Sequence, residues 1–192
     1  MINSNERSIH KSLKSPFFNL CLFLGVCFAG ISNVHAAAYM KIGDIKGESL
    51  REGYVDAIEI LSWNWGVDAT SNGPGVRRSA SAAACLPITA VKNVDKATPL
   101  LFLATLQGAV QRTADLEVIR DGPASSEPYL RIKLSDVIIS SIFTGSASDT
   151  VPTEQVSLIF GKIEFEYRPQ EADGRMGEAV RFGWDCESNQ AL

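Results

Sequence analysis

Apolar and polar residues alternate near the end of the chain, which predicts two consecutive β-strands. The apolar residues change parity half-way along: Val156, Leu158 and Phe160 share one face, and Ile163, Phe165 and Tyr167 share the other. Gly161 lies at the change, where the lack of a side chain allows a bulge or bend. Such a switch is typical of a β-barrel corner, and residues 180–185 predict one more strand after it.

Earlier stretches have the same two-residue period and predict further strands: 38–45, 57–67, 112–120 and 129–143. In the second of them the large residues Leu61, Trp63, Trp65 and Val67 share one face. Two tryptophans at this spacing are much more often core residues than a ligand site, so we expect this face to be buried.

One segment predicts a helix. Thr98 is a suitable N-cap, Pro99 suits the first helical position because its missing N–H costs nothing there, and Gly108 is placed to end the helix. The whole pattern predicts a mainly β fold, an antiparallel β-barrel or closed sandwich of about seven strands with one external α-helix.

The first 36 residues predict a cleaved signal peptide rather than part of the fold. Lys11 and Lys14 are basic, residues 17–31 form an apolar run, and Val34-His35-Ala36 provides small residues where a signal peptidase reads the chain. We therefore expect cleavage before Ala37.

Removal of this leader would leave residues 37–192 as a single exported domain, periplasmic or secreted, with no membrane span. Two alternatives stay open. The leader could be retained as an anchor, although its apolar run is short for spanning a bilayer. Translation could also begin at Met40, which would make the protein cytoplasmic before secretion.

Composition excludes several functional classes. Both histidines, His10 and His35, lie in the leader, so the mature chain lacks the commonest general base and metal ligand. The leader holds three of the 18 Lys and Arg residues and one of the 22 Asp and Glu residues, which leaves 15 and 21, a net charge of −6. We expect no nucleic-acid binding and no catalytic, cofactor or metal site. Glu164 and Glu166 are interpreted as an exposed acidic face.

Several segments together resemble the haemolysin-coregulated protein (Hcp) family of type VI secretion tube subunits. They occur in family order between residues 39 and 185: Lys41 to Ser49, the strand of Trp63 and Trp65, Lys96 to Ala104, Tyr129 to Ser141, Pro152 to Tyr167 and Val180 to Asp185. The resemblance implies a homohexameric ring of β-barrel subunits. It also implies stacked rings that carry small effectors, with sheath and spike components as further partners.

The resemblance also assigns site residues. In the family the long loop after the tryptophan strand reaches the adjacent ring, so ring stacking falls to Gly73, Pro74, Gly75, Val76, Arg77 and Arg78. The predicted helix is apolar on every side, and a helix of this kind should be covered by its own sheet and by a neighbouring subunit. The interface residues expected there are Leu100, Leu101, Phe102, Leu103 and Leu106.

Cys85 and Cys186 are the cysteines that follow the leader, since Cys21 and Cys27 lie within it. In an exported chain an even pair indicates either one disulfide or two small buried residues.

A leader is a departure from the family, whose members are usually assembled in the cytoplasm. Residues 86–91 are also more apolar than the resemblance leads us to expect. The main hypothesis is a structural ring and tube subunit. The alternative is an exported protein that has the same barrel fold but acts on its own, outside a tube, as an effector or binding module. An enzyme ranks below both hypotheses.

Overall fold

The computed structural model describes residues 36–71, 80–120, 127–148, 150–171 and 175–192. These ranges contain one helix, α1 (Thr98–Gln107), and twelve strands: β1 Ala36–Ile42, β2 Ile58–Ile60, β3 Ser62–Asn64, β4 Val67–Ser71, β5 Ala80–Cys85, β6 Ile88–Asn93, β7 Val110–Arg120, β8 Leu130–Gly145, β9 Thr153–Ile159, β10 Lys162–Tyr167, β11 Val180–Asp185 and β12 Gln190–Ala191. The predicted mainly β, antiparallel fold with one helix is confirmed.

The strand count exceeds the expected seven because strands are divided and added. The predicted strand 57–67 divides into β2, β3 and the first residue of β4, the expected loop after it contains the hairpin β4–β5, and β6 and the short β12 are further strands. The predicted leader, except Ala36, and the predicted stacking residues 73–78 lie outside the described residues.

The longest strand, β8, organises the sheet because it changes partners along its length. Its first half pairs with β7 and β10, as Ile132 does with Leu116 and Phe165. Its second half pairs with β9, as in Ile142 opposite Val156. Asp136 lies between the halves with a left-handed φ of 55°, which a short polar side chain tolerates better than most. One strand therefore belongs to two parts of the sheet.

The other pairings wrap this sheet around a core. β1 pairs with β7 and β2, β3 pairs with β6, and β6 pairs with β9. Leu61 joins β2 to β3, and its N–H donates to the carbonyl oxygen of Val91 at 2.8 Å. The arrangement is barrel-like and encloses the larger of two buried apolar clusters in the described residues: Met40, Ile42, Ile58, Ile88, Leu101, Leu116, Ile132, Leu134, Ile139, Leu158 and Ile163.

The predicted parity change at Gly161 is confirmed. Val156 and Leu158 on β9 are buried, and after the glycine Ile163 on β10 is buried at the opposite parity. The N–H of Gly161 donates to the carbonyl oxygen of Ser135 at 3.0 Å, so the turn is attached to β8 just before its change of partner.

The start of α1 corrects two predictions. Thr98 is the first helical residue and not the N-cap; Ala97 precedes it with helical φ and ψ and no side-chain cap. Asp95 instead forms the turn that leads into the helix, because its carboxylate accepts from the Ala97 N–H at 2.9 Å and the Thr98 hydroxyl accepts from the Asp95 N–H at 3.1 Å. Pro99 is the second helical residue and not, as expected, the first, whereas the predicted end of the helix at Gly108, with φ 59°, is confirmed.

A buried ionic cluster joins α1 to the barrel. Lys92 on β6 and Glu154 on β9 face each other in register, are each 1 % exposed, and have Nζ and Oε2 2.8 Å apart. Lys92 Nζ also lies 2.7 Å from Asp95 Oδ1. The hydroxyls of Thr98 and Thr144 donate to the two oxygens of Glu154, at 2.8 and 3.1 Å. These five residues, the Lys92 cluster, tolerate burial because each charge is paired and hydrogen-bonded.

We expect Lys92→Met to lower the free energy of unfolding by about 3–5 kcal/mol, because it leaves the Glu154 carboxylate buried without its cation. Urea denaturation followed by circular dichroism measures this loss.

Lys133→Met is the matched control, since it breaks a Lys–Glu pair of similar length, 3.0 Å to Glu164, on the solvent side of the sheet. An exposed pair contributes about 0–1 kcal/mol. Equal losses in the two variants would contradict a special role for the buried cluster.

Candidate functional site

The outer side of α1 carries a stripe of leucines. Leu100, Leu103 and Leu106 are three residues apart and exposed, with Leu106 at 84 %. Leu101 faces the other way and is fully buried in the core. This placement corrects the assignment of Leu101 to a subunit interface, because successive helical residues point about 100° apart. Phe102 lies between the two sides and is half-buried.

The hairpin β4–β5 forms a separate two-stranded sheet. Its register places Val67 opposite Cys85 at the base, and the pairing shifts between Ala69 and Ser71. The N–H of Leu86 donates to the Gly66 carbonyl oxygen at 3.2 Å and closes the base. The predicted stacking residues belong to the segment that connects Ser71 to Ala80.

A disulfide joins Cys85, at the base of this hairpin, to Cys186, in the turn after β11. The two cysteines are 101 residues apart in sequence. Of the two alternatives left open by the sequence, the structure contains the bonded one.

Three aromatic rings pack next to the hairpin. Trp65 stacks on Phe165 and on Phe182 with ring centroids 6.3 Å apart in each case, and these two phenylalanines are 5.4 Å apart. Trp63 and Trp65 pack against the core, as expected. Leu61 and Val67 do not pack against the core, because more than half of the surface of each residue is exposed. The expected continuous buried face is interrupted because the predicted strand is divided into β2, β3 and β4.

The solvent side of the main sheet carries two rows of alternating charge. Followed across the strands in register, the rows are Lys41, Asp115, Lys133 and Glu164, and then Glu117, Arg131, Glu166 and Arg181. The predicted acidic face at Glu164 and Glu166 is therefore corrected, because cations on β8 and β11 neutralise it. Only knowledge of which strands are neighbours could have revealed these rows.

The charges in these rows perturb one another. Arg131 Nε lies 2.6 Å from Glu117 Oε1. Burial raises the pKa of the Tyr54 phenol, and a hydrogen bond to Glu117 raises it further. Burial, with the charge of Glu117, also raises the pKa of Asp115. These groups line a polar cavity of about 320 Å³ in which acidic and basic side chains alternate.

A sequence model of the family described as "Type VI secretion system effector, Hcp" matches residues 39–167. The chain belongs to the Hcp family. It is similar to Protein hcp1 of Pseudomonas aeruginosa, at 34 % identity over 154 residues that cover 79 % of this chain and 95 % of the relative.

Two solved structures share the fold. One, a type six secretion system protein, superposes with a TM-score of 0.77 at 23 % identity, over 82 % of this chain and all of the other. The second, Hcp1 from Salmonella typhimurium, superposes with a TM-score of 0.68 at 24 % identity, over 82 % of this chain and 99 % of the other.

Hcp proteins are secreted type VI components that form tube rings, and the family is not an enzyme family. Within the described ranges there is no group of three or more acidic, cysteine or histidine side chains placed to hold a metal ion. In the same part of the chain no helix is long and apolar enough to cross a membrane.

Stability at acidic pH should depend on Glu166. Hydrogen bonds from Arg181, at 2.5 Å, and Arg168, at 2.7 Å, lower the pKa of this carboxyl below its ordinary value. A lowered pKa in the folded state contributes stability above the ordinary value of about 4.5 and loses it as the pH falls through the folded pKa. The raised pKa of Asp115 has the opposite effect on stability, because ionising this carboxyl as the pH rises costs more in the folded protein than in the unfolded chain.

We therefore expect Glu166→Gln to lose less stability than the unmodified protein between about pH 5 and pH 3. Melting temperatures recorded across this interval test the expectation. Arg181→Gln removes the main partner and should also flatten the profile, whereas parallel profiles for all three proteins would refute it.

Proposed function

We propose that residues 37–192 form a ring and tube subunit that assembles as a homohexamer. The rings would stack into a tube able to carry effectors, with sheath and spike components as further partners. The observation that carries the proposal is the exposed stripe of Leu100, Leu103 and Leu106 on a chain of this family.

The stripe needs a partner for a physical reason. Three adjacent exposed leucines form an apolar patch, and such patches commonly mark protein–protein contacts. A second copy is the partner that the family supports, because a ring repeats one interface around a closed cycle. The inward residues Leu101 and Ala104 hold α1 on its own barrel, so the outward leucines remain free to pack elsewhere.

Stacking between rings is assigned to the hairpin. Gly73 to Arg78 follow β4 and precede β5, and a hairpin that forms its own small sheet is suited to reach a neighbouring ring. Arg77 and Arg78 would supply polar contacts there.

Light scattering at micromolar concentration should give six times the monomer mass, and electron microscopy of the same sample should show rings or short tubes. Leu103→Lys with Leu106→Lys should shift the mass towards the monomer, since burying a lysine at an interface weakens association by about tenfold or more. Both positions are exposed in the subunit, so the melting temperature of the monomer should change little.

Gln190→Lys is the control because it adds a lysine at an exposed position on β12, away from the helix that carries the leucine stripe. A hexamer that survives the leucine substitutions would show that another surface forms the ring. A monomer of the unmodified protein at every concentration would overturn the ring itself.

Export is proposed with cleavage before Ala37. β1 begins at Ala36, and its pairings from Ala37 with Ile119 to Ile42 with Ala114 would survive that cut. N-terminal sequencing of protein from the native cell should therefore begin at Ala37. A chain beginning at Met40 would show that the leader is not used.

The predicted leader also favours a second candidate, an exported Hcp-like protein that acts alone as an effector or binding module. A folded monomer in the periplasm would support this candidate over the tube subunit.

A further inference from the structure

The two strands of the hairpin β4–β5 form a sheet of their own, apart from the main sheet. They pair with each other and not with the main sheet in the part of the chain that is described. The backbone bond between Leu86 and Gly66 closes its base without joining it to β10 or β11.

An apolar groove separates the hairpin from the sheet. It has a volume of about 400 Å³ and is lined by apolar side chains of both parts: Trp65, Val67, Ala83, Cys85, Ile163, Phe182 and Trp184. Atoms across such a gap lose most of their dispersion contacts, so packing holds Val67 and Ala83 only weakly against Phe182 and Trp184. A further attachment is needed to fix the hairpin.

The disulfide supplies that attachment. Cys186 is itself fixed, because its N–H donates to the Gly161 carbonyl oxygen at 2.8 Å, and the Gly161 N–H donates to Ser135 on β8. The bond therefore runs from the base of the hairpin to a point anchored on the main sheet.

We propose that Cys85 and Cys186 are a site of reversible oxidation that latches the hairpin onto the barrel. Oxidation fixes the direction of β4–β5, and reduction releases it. Where the hairpin makes ring contacts, which rests on the function proposed above, stacking of rings then requires the oxidised form.

The chemistry balances with a disulfide as oxidant. The thiolate of one cysteine attacks a donor disulfide and displaces one thiol, and the second thiolate attacks this mixed disulfide and releases the other. The pair gives up two electrons and two protons, and the donor leaves as two thiols. Oxidised glutathione serves as the donor in the test, and dithiothreitol reverses the reaction.

Hydrogen exchange measured by mass spectrometry tests the latch on the full mature chain. Reduction should speed exchange in peptides covering residues 67–71 and 80–85 by about tenfold or more, while peptides from β7 and β8 stay unchanged. The double variant Cys85→Ser with Cys186→Ser should match the reduced protein, and neither glutathione nor dithiothreitol should alter it.

Equal exchange in the oxidised and reduced hairpin would overturn the proposal. Faster exchange across β7 and β8 as well would also overturn it, since the bond would then stabilise the whole fold and not the hairpin in particular.

Sedimentation velocity separates this inference from the tube proposal. Stacked rings when oxidised and single hexamers when reduced would support both. Hexamers that stack equally in both states would refute the redox control of stacking. Monomers in both states would refute the proposed function, while hydrogen exchange would still decide the latch.

Discussion

The pairing of Lys92 with Glu154 is the interaction on which the rest of the fold depends. Each of the two lies at one end of a row of inward-facing side chains. On β6 the row is Ile88, Ala90 and Lys92, and on β9 it is Glu154, Val156 and Leu158. A slip of two residues would keep the rows inward but would place a charge against a hydrocarbon side chain, at a large desolvation cost. The ion pair thus specifies the β6–β9 register, and its contacts to Asp95 and Thr98 set where α1 begins.

The outer face of the main sheet specifies a different property. The side chains of the two rows have one sign on each strand: acidic on β7 and β10, basic on β1, β8 and β11. Such alternation tolerates a two-residue slip, but it penalises any order in which two strands of the same sign become neighbours. The interior pair therefore favours one register of β6 with β9, and the exterior rows favour the observed neighbours among β1, β7, β8, β10 and β11.

The sequence predicts features that depend on adjacent residues and misses those that depend on neighbours in space. The break at Gly161 and the helix end at Gly108 follow from one residue each, and both were predicted. Thr98 was misread as a cap, because its hydroxyl is used by Asp95 and Glu154, and the Glu154 contact crosses 56 positions of sequence. The charge of Glu164 was misread for the same reason, since its partner Lys133 lies on another strand.

The two cysteines are positioned by different parts of the structure. Cys85 ends β5, whereas Cys186 follows β11, and its position is set by the pairing of β10 with β11 and by the hydrogen bond from its N–H to Gly161. The bond spans 101 residues, so an unfolded chain would close it at a high entropic cost. With two cysteines in the chain after residue 36, no other pairing competes within one molecule. The bond therefore joins the base of the hairpin to a turn whose position the pairing of β10 with β11 and the Gly161 contact define.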